Sequence, residues 1–199
     1  EFRRVLFRSP IICYRDWQTF KQGSCGQAAL HQEVRINSSD PANVPGEILT
    51  KGPNVLLGYY KNEEDTSQTI DKDGWFHTGD LGLMDEDGNV FIKGRSKNML
   101  LGSNGQNIYP EEIEDKLNSL PLVAECLVIQ SGEKLIGLVY PDYDEAQNLG
   151  LNADDLKNIM EENRTQLNTI VPAYCKVAEI RIQEEEFEKT PKKSIKRFL

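Results

Sequence analysis

The 199 residues hold few groups that could gather a metal, cross a bilayer or grip a polyanion. Histidine occurs twice, as His31 and His77, and the four cysteines, Cys13, Cys25, Cys126 and Cys175, have no close-paired spacing. A zinc site draws on such pairs, so none is expected. The same spacing gives no disulfide framework, and free, packed thiols in a reducing cytoplasm are expected. No apolar run nears the roughly 20 residues of a membrane span, and no secretory signal precedes the first motif. A net charge of −9 argues against general nucleic-acid affinity. A phosphate cradle is also missing. Gly23-Ser24-Cys25-Gly26 reads as a turn, and two glycines alone do not make a cradle.

The chain is 38% hydrophobic and 28% charged, which fits a globular protein. Its length allows one large or two small domains. Residues 74–97 organise it. Two apolar runs, Leu81 to Met84 and Val90 to Ile92, flank Asp85-Glu86-Asp87-Gly88-Asn89, a hairpin signal with Gly88 free to take positive φ. Thr78-Gly79-Asp80 precedes this hairpin and Gly94-Arg95 ends it. Closing it brings a carboxylate beside a guanidinium, and together these suit a ribose carrying a phosphate. Read alone, the hairpin is better explained as an ordinary surface ion pair.

Elsewhere the pattern alternates short strands and helices. Val34 to Ile36 and Glu47 to Thr50 read as strands, and Lys61 to Ile70 as a helix with acids in its first turn. Asn98 to Leu101 reads as a strand. Pro110 fits the first position of a helix carrying Ile113, Leu117 and Leu120 on one face. Leu122 to Ile129 and Leu135 to Tyr140 fit strands of one sheet, joined by the turn 131–134. Asn152 caps a second long helix, whose stripe of Leu156, Ile159, Met160, Leu167 and Ile170 is broken at Asn163. Pro172 stops it, and Ala178, Ile180 and Ile182 alternate as a third strand. His77 has no partner visible in the sequence and reads as a side chain simply packed or solvated there.

An ordered set of short motifs changes the weight of the hairpin. Gly46-Glu47-Ile48-Leu49, Gly52-Pro53, Gly58-Tyr59-Tyr60, Trp75-Phe76-His77-Thr78-Gly79-Asp80, Gly94-Arg95-Ser96-Lys97 and Pro110-Glu111-Glu112-Ile113-Glu114 occur in that order. The series resembles the C-terminal part of the adenylate-forming superfamily, which includes acyl-CoA synthetases and adenylation domains, and most of all a long-chain fatty-acid–CoA ligase. The resemblance implies an α/β (α+β) fold. A β-rich remnant of a large N-terminal domain, residues 10–96, would precede a small α/β domain, residues 97–199, with a central sheet and flanking helices. Residues 1–9 match one reading frame of a sequencing adapter and are set aside as non-native.

By the same resemblance, Thr78, Gly79 and Asp80 would bind the nucleotide, Asp80 through the ribose hydroxyls. Arg95 would contact it too, and Lys97 would be the hinge between domains. Gly105 would line the path of the CoA arm, although Gln106 and Asn107 follow it where the family often has a basic residue. The family's last motif carries a lysine that acts on the acyl carboxylate and α-phosphate. Counted from Thr190 it falls on Ser194, so Lys193 is expected to take the role with a shift of one residue. ATP or AMP, a fatty acid and CoA are the implied partners, with Mg²⁺ arriving on ATP. The phosphate loop and adenine motif are missing from the 199 residues, so no activity of this chain alone is expected. Three alternatives stay open: an acyl–acyl-carrier-protein synthetase, a noncatalytic nucleotide-binding domain, and a module whose basic tail, Lys189 to Arg197, touches an anionic membrane surface.

Overall fold

The computed structural model describes residues 12–14, 18–19, 21–102, 104–191 and 194–197. These form two compact units that meet between Lys97 and Asn98.

The first unit is built on antiparallel strands. A short pair, β1 (Cys13–Tyr14) and β2 (Gln27–Ala28), precedes a four-stranded sheet in the order β3-β4-β5-β6. Its strands are β3 (Glu33–Asn37), β4 (Gly46–Lys51), β5 (Phe76–Met84) and β6 (Val90–Arg95). Alternation puts Ile36, Ile48 and Val90 on one face, where they are buried together. Helix α1 (Glu63–Thr69) interrupts the sheet between β4 and β5. Asn62 caps it by accepting the Asp65 N–H at 3.0 Å. The β5–β6 hairpin closes as its sequence predicts, with Gly88 at φ +81° and its N–H bonded to the Asp85 carbonyl.

The second unit carries the small β7 (Leu100–Leu101) and β8 (Asn107–Ile108) pair, then helix α2 (Pro110–Leu117). Pro110 takes its first position as expected. A three-stranded sheet follows in the order β11-β10-β9, from β9 (Val123–Ser131), β10 (Lys134–Pro141) and β11 (Val177–Ile182). β9 and β10 are antiparallel across a two-residue turn at Gly132 and Glu133. β10 and β11 are parallel, so the chain must cross over, and α3 (Tyr143–Asn148) and α4 (Ala153–Ile170) fill that crossover. The core joins Ile113 and Leu117 of α2 to Val128, Val139, Met160 and Leu167. Burying a side chain of this size contributes about 1.5–3 kcal/mol.

Several details depart from the sequence reading. No strand begins at Asn98. Ser96–Asn98 is a 3₁₀ turn, and the Asn98 amide donates to Glu111 Oε1 at 2.6 Å. Leu122 adopts φ +56°, so the strand starts only at Val123. Asn163 does not break the α4 stripe. It is buried and donates to the Pro121 carbonyl at 2.8 Å. Ile170, expected in that stripe, is half exposed at the helix end. Helix α3 has no counterpart in the sequence reading, although Asp142 caps it. The α4 cap is a full capping box between Asn152 and Asp155. Among the described residues no helix is long and apolar enough to cross a membrane.

Candidate functional site

Two irregularities in the first sheet aim the residues of interest. Leu49 pairs with His77 and Glu47 with Leu81, so Thr78, Gly79 and Asp80 bulge out of β5. On the other side, Leu81 pairs with Gly94 and Gly82 with Ile92, so Lys93 is an extra residue in β6. Bulges of this kind re-aim side chains and cluster beside active sites. Gly79 takes φ +73°, which a side chain would resist.

The bulge is held at each residue. Thr78 is buried, and its hydroxyl donates to the Ile48 carbonyl at 2.7 Å and accepts the Asp80 N–H at 3.0 Å. The Gly79 N–H donates to Glu47 Oε1 at 3.0 Å. His77 Nδ1 lies 2.8 Å from Glu47 Oε2, so the ring has the partner its sequence did not show. Its Nε2 faces Asp71 at 3.8 Å. The backbone N–H of Trp75, and then that of Asp73, hold the Asp71 carboxyl below the usual carboxylate range. Glu47 lies thirty residues before His77, so only the register of β4 on β5 could have revealed its part.

Asp80 and Arg95 are register partners, and Arg95 Nε sits 2.8 Å from Asp80 Oδ1. A guanidinium nitrogen of Arg95 also donates to the Thr78 carbonyl at 3.3 Å. Arg95 is 56% exposed and Asp80 24%, so the pair stands at the surface. Such a pair contributes about 0–1 kcal/mol to stability. Its chemistry is available to a ligand: hydroxyls can donate to the carboxylate, and the cation can meet phosphate. Lys97 is exposed within the 3₁₀ turn that ends the first unit.

In the second unit Gly105 lies in the loop between β7 and β8 at φ +77°, its N–H bonded to the Gly102 carbonyl. Beside this loop a cleft of about 260 Å³ is lined by Gly102, Asn104, Gln130, Lys134, Tyr174 and Lys176. Lys193 lies outside the described residues, as do residues 1–9. Two contacts join the described residues on either side of Lys193. Lys189 bridges Ile195, and the Thr190 N–H donates to the Ser194 carbonyl at 2.8 Å. One side is tied by Lys189 to Glu125 and Glu186, the other by Arg197 to Glu114. Lys196 pairs with Glu188. The three described cations of the tail's second half are thus engaged in ion pairs, unlike those of a bare basic patch.

Glu114 is buried. One oxygen accepts the Val128 N–H at 2.6 Å and the other accepts from Arg197. Burial pushes its carboxyl above the usual range, against the pull of those two donors. The cysteines are free. Burial pushes the Cys13 thiol up to about 11 and raises Cys126 and Cys175 as well, which is opposite to what a nucleophilic thiol needs. Among the described residues no group of three or more His, Cys, Asp or Glu could hold a metal ion.

Curated relatives and solved structures are similar to this chain over part of their own length. A 2-succinylbenzoate–CoA ligase of Bacillus cytotoxicus is 43% identical over 127 residues, covering 62% of this chain and 26% of the relative. An anthranilate CoA ligase solved with anthranoyl-AMP superposes with a TM-score of 0.74 at 25% identity, covering 88% of this chain and 33% of that one. The O-succinylbenzoate coenzyme A synthetase of Bacillus subtilis, solved with ATP and magnesium, gives a TM-score of 0.67 at 26% identity, covering 88% of this chain and 35% of that one. The chain thus spans about a quarter of the curated relative and about a third of the solved structures. Residues 97–198 match the family model described as the AMP-binding enzyme C-terminal domain. With that match over half its length, and with adenylate-forming enzymes as its structural neighbours, the chain belongs to the AMP-binding enzyme C-terminal domain family.

Proposed function

We propose that this chain serves, within a longer protein, an ATP-dependent acid–CoA ligase working through an acyl-adenylate. The single observation that carries the reading is the Asp80–Arg95 pair, raised on two bulges and open to a ligand. Asp80 accepts the ribose hydroxyls and Arg95 contacts the nucleotide. The carboxylate of the acid attacks the α-phosphorus of ATP, giving acyl-adenylate and pyrophosphate. The thiol of CoA then attacks the acyl carbon, giving acyl-CoA and AMP. Mg²⁺ would enter with ATP, bound through the phosphates.

Two successive steps that must use one and the same site call for a pivot, and Lys97 is our candidate. The short 3₁₀ turn at Ser96–Asn98 supports this, since no long regular element runs through the boundary. The cleft by Gly102, with Lys134, Lys176 and Tyr174, offers two ammonium groups and a ring for a phosphorylated arm. Gly105 lies in the adjoining loop. Lys193 or a neighbour in the tail would meet the growing charge of the first step.

The acid is proposed as a long-chain fatty acid from the sequence resemblance, with an aromatic acid as the second reading. The names of the matched relatives favour the latter. AMP release and thioester formation by the full-length protein, over a panel of fatty and aromatic acids, decide between them. A protein that forms neither adenylate nor thioester with any member of the panel would sink the ligase reading. Residues 1–199 alone are expected to form no adenylate above a no-protein control.

A further inference from the structure

The bulge at Thr78-Gly79-Asp80 is a conformation the sheet does not itself require. The ladder runs regularly on either side, from Leu49 opposite His77 to Glu47 opposite Leu81. A bulged residue loses its ladder partner, and a backbone N–H without one is costly. Glu47 supplies that partner. One of its oxygens accepts the Gly79 N–H at 3.0 Å, and the other sits 2.8 Å from His77 Nδ1. Its neighbour Ile48 accepts the Thr78 hydroxyl at 2.7 Å. Two adjacent residues of β4 thus fasten three successive residues of β5, immediately before Asp80.

We propose that Glu47 is a positioning residue for nucleotide binding, setting Asp80 against the sugar through the Gly79 peptide. This rests on the reading of Asp80 as the ribose ligand. The chemistry suits a carboxylate in particular. It accepts on both oxygens and donates on neither, so it can face an N–H on each side. A glutamine there would turn its NH₂ toward one of the two donors. His77 acts as the outer stay, donating from Nδ1 to Glu47, with Asp71 on its far side at 3.8 Å. Asp80 follows because its own N–H is bonded to the Thr78 hydroxyl, so the peptides on both sides of Gly79 are fixed.

The test compares ATP with 2′,3′-dideoxy-ATP in the full-length protein, by equilibrium binding and by KM in adenylate formation. The dideoxy nucleotide lacks the hydroxyls that Asp80 would accept. Wild type is expected to prefer ATP. Glu47→Ala is expected to cut that preference about tenfold, by weakening ATP and leaving dideoxy-ATP unchanged. Displacements of an ångström can cost up to about a hundredfold, so a tenfold effect suits a group acting at one remove. Glu47→Gln keeps one acceptor and is expected to give a smaller loss in the same direction, which also covers an alanine variant that fails to fold. Equal weakening of both nucleotides, or no change in either, overturns the proposal. A wild type that does not distinguish the two nucleotides overturns the Asp80 reading itself, and with it this inference.

Discussion

Two acid–arginine pairs in this chain share a chemistry and differ in burial. Asp80 and Arg95 meet at the surface of the first unit, 24% and 56% exposed. Glu114 and Arg197 meet inside the second, 11% and 15% exposed. Water screens the first pair, so holding it together or breaking it changes stability little. The second lost most of its hydration on folding, and Arg197 is then the cation that neutralises Glu114, with Glu111 beside it at 3.6 Å. The open pair can exchange its partner for a ligand. The closed pair cannot, and instead fastens the tail to α2 and β9. Ion pairing alone therefore says little about function, and exposure decides which pair can work on a substrate.

Four measurements could break or sharpen this contrast. The largest effect is expected from Glu114→Ala, which leaves the largely buried Arg197 with only the longer contact to Glu111 at 3.6 Å and the Val128 N–H without an acceptor. It should destabilise the chain by about 4 kcal/mol in urea unfolding. A loss below about 1 kcal/mol would erase the distinction. Asp80→Ala comes next, with about 3 kcal/mol lost from ATP binding in the full-length protein. Its cost to folding should stay below about 1 kcal/mol.

The third effect is a pH dependence. The folded pKa of Glu114 is raised, so between its ordinary value and the raised one the folded state binds more protons than the unfolded state. The contribution is present below about pH 4.5 and is lost as the pH rises through the folded value. Glu114→Gln should remove that fall when stability is followed upward from pH 4.5. An unchanged profile would show that the carboxyl is not held up by burial. The smallest effect is expected at Lys157 and Asp154, a pair 69% and 86% exposed. Lys157→Ala should leave the unfolding midpoint unmoved at 0.15 M salt, near the 8 Å screening length of that medium. A clear shift there would mean that exposure is a poor guide in this protein.

What the sequence disclosed was mostly local. The Asp85–Asn89 turn, Pro110 at a helix start and Asn152 as a cap each follow from a few neighbouring residues, and the structure has all three. Asp80 and Arg95 could be brought together because a hairpin forces its ends to meet. The bulge that aims Asp80 was not legible, because it depends on the register of β4, which comes from residues thirty positions earlier. Asn163 seemed a flaw in an apolar stripe, since its acceptor, the Pro121 carbonyl, is 42 residues away. The Arg197–Glu114 clasp spans 83 residues, and nothing in a charge run announces which cation will be buried. Helix α3 was missed because six residues are too few to show a period.

The described part of the tail is moored at two points, by Lys189 to Glu125 and by Arg197 to Glu114. Fixing a chain segment costs about 1–2 kcal/mol per residue in lost backbone freedom. Here the anchored residues gave up that freedom when the second unit folded. Cutting either mooring would return that freedom to its own anchored residue alone, so the two ends of the tail can be loosened one at a time.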